Sequence, residues 1–128
     1  MALYDLRYFI DLIEGKNRER DLSPWEISVT PLFAPSLMLQ IKRYSDLKEK
    51  LDKFVEVKKE NPLIAKFGRN DYPFTGALVG FWHAHLKEDA IIIYNLKNRC
   101  INLICVVSHT EIEGRREKQV LKQIDGFR

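Results

Sequence analysis

All three histidines of this chain fall within one third of its sequence, as His83, His85 and His109. Unperturbed imidazole titrates nearer neutrality than most side chains, which suits it to taking and giving protons at physiological pH. His83 and His85 are two apart in GFWHAHLKED, so on a strand their side chains share a face. His85 closes that strand, Asp89 lies across the adjoining turn, and His109 stands just past the last apolar run. If the strands end on the same side of a sheet, His85, Asp89 and His109 converge on one rim, where a rigid scaffold holds reactive loops.

RNA cleavage is chemistry that such a rim suits. The ribose 2′-hydroxyl is the nucleophile, so neither a metal nor a covalent enzyme intermediate is required. Two groups titrating near neutrality can remove its proton and protonate the leaving 5′-oxygen, each for about 10²–10⁴ in rate. Asp89 can orient an imidazole and favour its protonated form. A cation or amide donors must stabilise the phosphorane. Two other readings compete. The histidines can simply decorate strand ends. His-x-His with a nearby Asp and a distant His is also a plausible metal ligand set, though no Cys or Glu-rich cluster supports it.

The elements that must hold these groups can be read from periodicity. Leu3, Leu6, Ile10 and Ile13 recur at helical spacing and predict an amphipathic helix over residues 3–14. Residues 1–24 form an N-terminal extension and 25–128 the main domain. Trp25, Ile27 and Val29 alternate with polar residues as a short first strand. A helix burying Leu37, Ile41 and Tyr44 comes after it, then a second one capped by Ser45 and running through Lys59, with Leu47, Leu51 and Phe54 on one face. Asn61-Pro62 stops it. The segment AKFGRNDYPFT, residues 65–75, reads as a loop.

Three strands come next, at about Ala77–Leu86, Ala90–Leu96 and Cys100–Val107, joined by turns short enough to force antiparallel hairpins. Ala90–Tyr94 is apolar on both faces and belongs at the sheet centre. Trp82 points opposite to the histidines, into the core. The pattern IEGRREKQVLKQIDGF predicts a terminal helix. The fold class is therefore α+β: a helical hairpin packed on an antiparallel sheet of about four strands, with an added N-terminal helix.

A hydrophobic content of 45% and a charged content of 30% are those of an ordinary globular domain. No run approaches a membrane span, and Asp5, Arg7 and Asp11 interrupt the N-terminal apolar run that a secretory signal would need unbroken. Cys100 and Cys105 are five apart on one strand, hence on opposite faces and poor disulfide partners. A cytoplasmic location is expected. The formal charge of +3 is unevenly spread: residues 42–69 carry nine Lys and Arg against five Asp and Glu, a local +4. That excess suits nucleic acid or an acidic protein.

The order of elements resembles the RelE/ParE toxin superfamily, and the local sequence is similar to its YafQ-like branch. The matching motifs are DYPFTG at 71–76, AHLKEDAIIIY at 84–94 and Ser108-His109. The resemblance covers about Ile27 to Glu113. The resemblance implies a bacterial type II toxin, a ribosome-dependent endoribonuclease that cleaves mRNA without cofactor or metal. Its partners would be a cognate antitoxin, the ribosome and mRNA, with the N-terminal helix as a possible homo-oligomer contact. It implies a proton-transfer pair in His85 and His109, with Asp89 as supporting carboxylate. Tyr72 stands where the pattern has a histidine and joins the catalytic set, since a tyrosine can hydrogen-bond a phosphate or donate a proton. Cys105 stands where it has an arginine, and Ala90 and Glu113 where it has aromatic residues. The missing positive charge would come from Lys66, Arg69, Lys87 or Arg115, and Lys42, Arg43, Lys50 and Lys53 would join them in gripping RNA. A ParE-like, gyrase-binding module without nuclease activity is the alternative, as is a degenerate homologue that only binds antitoxin.

Overall fold

A computed structural model of the chain describes residues 25–63, 65–68, 71–112 and 116–127. The expected helix over 3–14, Arg69, Glu113 and Arg115 lie outside the described residues.

The apolar run at the centre of the sequence becomes the centre of the sheet. Strands β1 (Glu26–Val29), β2 (Asp71–Pro73), β3 (Trp82–Lys87), β4 (Ala90–Lys97) and β5 (Cys100–Val107) are arranged β1-β5-β4-β3-β2. Residues Ala90 to Asn95 of β4 are all buried, as befits a strand covered on both faces. Among the described residues the sheet has five strands where about four were expected, because Asp71–Pro73, read as loop, pairs antiparallel with β3. The sheet is also mixed rather than antiparallel throughout: β1 pairs with β5 in parallel. Long intervening chain between the two makes that connection possible.

Helices α1 (Phe33–Ile41) and α2 (Leu47–Glu60) form the expected hairpin. They cover one sheet face, where Phe33, Leu47 and Phe54 pack with Ala84, Ile92, Tyr94 and Leu103. The cap of α2 is Asp46 rather than Ser45, and its side chain makes no capping hydrogen bond. Two helices, α3 (His109–Ile112) and α4 (Arg116–Ile124), replace the single terminal one. Val120 and Ile124 of α4 pack on the opposite sheet face with Leu78, Phe81, Ile91, Ile93, Ile104 and Val107. Among the described residues no helix is long and apolar enough to cross a membrane.

Two local features shape the sheet around the histidines. First, β5 carries a bulge: Ile93 faces Cys105 and Tyr94 faces Leu103, which leaves Ile104 as an extra residue. Ile104 and Cys105 consequently pack on the same side. Cys100 shares that side, since its Sγ contacts Asn102, whose amide bonds Asn95, which in turn donates to the carbonyl of Phe127. The expectation of opposite faces fails because the bulge cancels the odd spacing. Both thiols are free.

Second, β2 is tied down by a buried ion pair. Lys58 Nζ donates to Asp71 Oδ2 at 2.8 Å, and to the carbonyls of Pro62 and Ala65 at 2.8 and 2.9 Å. Asp71 Oδ2 also accepts the Phe67 N–H, and Asp71 Oδ1 accepts the Tyr94 hydroxyl. Burial pulls the Lys58 ammonium down from its usual range, while Asp71 opposes that shift. Burial, with Asp71 adding to it, holds the Tyr94 phenol protonated.

Candidate active site

Antiparallel register sets His83 opposite Ile93 and His85 opposite Ile91, on the sheet face that carries α4. Trp82 packs on the other face, as alternation predicts. The β3–β4 turn, Glu88-Asp89, and the C-terminal end of β5 meet at one rim, because Ile91 is also paired with Val107. There the rings of His85 and His109 come together, Nε2 to Nε2 at 2.9 Å. Their centroids are 4.8 Å apart, with 41° between the planes. One nitrogen donates and the other accepts, so the contact does not accommodate two doubly protonated rings.

Asp89 reaches this pair differently from the way its spacing suggests. Its Oδ1 accepts the backbone N–H of His109 at 2.7 Å, not an imidazole. Its Oδ2 takes the Arg43 guanidinium at 2.9 Å. The His109 amide and then Arg43 hold its carboxyl below the usual range, so it stays ionised near neutrality. Asp89 is thus a positioning residue: it fixes the backbone from which the His109 ring projects. The first turn of α3 is locked further by Glu111, which accepts the Ser108 N–H at 2.9 Å in the manner of a capping box.

His83 lies deeper. It is 8% exposed, and its Nδ1 is buried with no hydrogen-bond partner among the described residues. Its ring stacks on Phe74 with centroids 4.2 Å apart and packs T-shaped with Tyr72, centroids 4.5 Å apart. Desolvation, and to a lesser extent His85 and His109, lower its pKa, so it is neutral at pH 7. Tyr72 is on β2, directly across from His83 and still substantially exposed.

The cations expected at the rim are mostly engaged. Lys87 pairs with Asp46 at 2.7 Å. Lys66 donates to the Asp71 carbonyl at 2.8 Å. Cys105, at the arginine position, is buried, and desolvation pushes its thiol up to about 12. Arg43 is therefore the described cation joined to the site by direct contact, through Asp89. In the sequence Arg43 looks like one more basic residue of the hairpin, since nothing local signals a partner 46 residues on. Lys42 and Lys53 are exposed and Lys50 half-buried on the hairpin. Among the described residues, no group of three or more His, Cys, Asp or Glu is arranged to hold a metal ion.

No family model matches the sequence, and no curated protein matches it. Solved structures do. Escherichia coli YafQ, in the DinJ-YafQ toxin-antitoxin complex, superposes with a TM-score of 0.59 at 24% identity, over 71% of this chain and 99% of that one. A metal-bound toxin from Helicobacter pylori gives 0.55 at 27% identity, over 70% and 99%. The chain has the RelE/ParE toxin fold. A YoeB/ParE toxin from Agrobacterium tumefaciens, 15% identical, matches with a TM-score of 0.54 over 66% of this chain and 98% of that one. The RelE/ParE likeness thus spans nearly the whole of each toxin, and it is YafQ-like, as the motifs at 71–76 and 84–94 imply.

Proposed function

We propose that the protein is the toxin of a toxin–antitoxin pair and cleaves mRNA on the ribosome as a metal-independent endoribonuclease. The observation that carries this reading is the contact between His85 and His109 at the sheet rim. In the reaction, one imidazole takes the 2′-hydroxyl proton and the 2′-oxygen bonds to phosphorus. The bond to the 5′-oxygen breaks, and the other imidazole gives that oxygen its proton. A 2′,3′-cyclic phosphate and a free 5′-hydroxyl result. Asp89 holds the His109 backbone in place. Arg43 donates from Nη2 to Asp89 and from Nη1 to Gln40, and its remaining N–H donors supply charge to the phosphorane. Lys42, Lys50 and Lys53 grip RNA phosphates, an interaction weakened by salt and blind to sequence. An acidic segment of a cognate antitoxin covers the basic surface in the silenced state.

Expression in a bacterial host, with mapping of transcript ends, tests this reading. Growth should stop with mRNA fragmented inside coding regions, and the His85→Ala/His109→Ala variant should be harmless. Toxicity that persists in that variant would sink the assignment. The buried, uncharged Cys105 favours one alternative, a ParE-like module that binds gyrase without cutting RNA. Arrest of DNA replication with intact transcripts is the outcome that selects it.

A further inference from the structure

Tyr72 is an aromatic side chain on an edge strand, 45% exposed one strand away from the histidine pair. Three layers hold its ring in place. The ring packs T-shaped on His83 with an interplanar angle of 76°, and His83 in turn stacks on Phe74 at 26°. The strand beneath is clamped by Asp71, whose carboxylate oxygens are taken by Lys58, the Phe67 amide and Tyr94. Pro73 comes immediately after and fixes the backbone φ.

Packed against His83 and carried on a clamped strand, the Tyr72 ring is a rigid aromatic surface that remains 45% exposed. His83 and His85 share a strand face with centroids 6.4 Å apart, so a group resting on Tyr72 lies beside the reacting nucleotide. Flat, unpaired bases are held on aromatic rings in this way, because every base has a π-face.

We infer that Tyr72, backed by His83 and Phe74, is a stacking platform for an unpaired nucleobase next to the cleaved bond. This inference rests on the proposed nuclease activity and assigns Tyr72 to substrate binding rather than to proton transfer. Single-turnover cleavage of mRNA in programmed ribosomes, titrated with the full-length chain, tests it. Tyr72→Ala and Tyr72→Leu should raise the half-saturating concentration roughly 5- to 150-fold, with the loss falling on half-saturation rather than on the rate at saturation. Tyr72→Phe, which keeps the ring and drops the hydroxyl, should lose far less. Replacing one mRNA nucleotide at a time by an abasic residue should reveal a single position at which the Tyr72→Ala penalty disappears.

If Tyr72→Phe is as impaired as Tyr72→Ala, the hydroxyl matters and the platform is wrong. A penalty that survives abasic substitution at every position would instead place Tyr72 against ribosomal or antitoxin protein, and also overturns it. Intact mRNA with the unsubstituted chain would defeat the nuclease reading itself, an outcome distinct from both.

Discussion

His85 and His109 meet through like atoms, Nε2 to Nε2 at 2.9 Å, across 24 residues of sequence. Protonating one ring fixes the other as acceptor, so a single shared proton satisfies the contact. Such a pair is already divided into a donor and an acceptor before substrate arrives.

The first consequence is kinetic. Cleavage should follow a bell-shaped pH profile, since the active form carries one proton across the pair. His85→Ala and His109→Ala should each slow cleavage by about 10²–10⁴, and the double variant should be little worse than the poorer single one. Single-turnover rates across the pH range are the measurement. Losses that multiply in the double variant would show that the two rings act independently.

A second concerns His83. Its native pKa lies below the ordinary 6.5, mainly through burial. Below pH 6.5 the unfolded chain binds a proton that the native ring refuses, so folding stability falls as pH drops from 6.5 toward the native value. The groups that act on the ring are His85, His109 and Asp71. His83→Phe should keep the stack between Tyr72 and Phe74 while flattening that part of the stability curve. Urea midpoints measured over this interval check it, and an unchanged slope would contradict it.

The third concerns the Lys58–Asp71 pair, whose side chains are 1% and 0% exposed. Removing one partner strands the other charge in the core. Lys58→Met alone should therefore cost about 3–5 kcal/mol. Adding Asp71→Leu should recover part of that loss, because no carboxylate is then left uncompensated. Equilibrium unfolding of the two variants measures both effects. Because Asp71 anchors β2, Lys58→Met should also weaken RNA engagement through Tyr72.

Much of the sheet was legible because its signals are local. Strict alternation at Trp82–Leu86, the apolar run Ala90–Tyr94 and the short turns between strands specify β3, β4 and β5. The β4–β5 turn shows how local: Asn98 and Arg99 both take positive φ, as a two-residue hairpin demands. Asp71–Pro73 was not legible, because a short strand holding Asp and Pro looks like a turn. Its strand character comes from pairing with β3 and from Lys58. Lys58 itself, in a Lys-rich helix, looks solvated, and only tertiary structure supplies its three acceptors. The convergence of His85, Asp89 and His109 could be anticipated from strand ends. That Asp89 binds a backbone amide and not a ring could not, since spacing carries no information on which atom of a neighbour is presented.

The extra residue in β5 has an effect well beyond its own position. A strand counts in twos, so Ile104 shifts the phase of everything after it. Deleting it would draw Ser108 and His109 back along the strand by one step and invert the side each presents, pulling the ring out of register with His85. Extra residues can be accommodated by a longer β4–β5 turn, but within β5 parity is fixed. How far this toxin fold can vary in length is thus dictated, along that strand, by an isoleucine that takes no part in proton transfer.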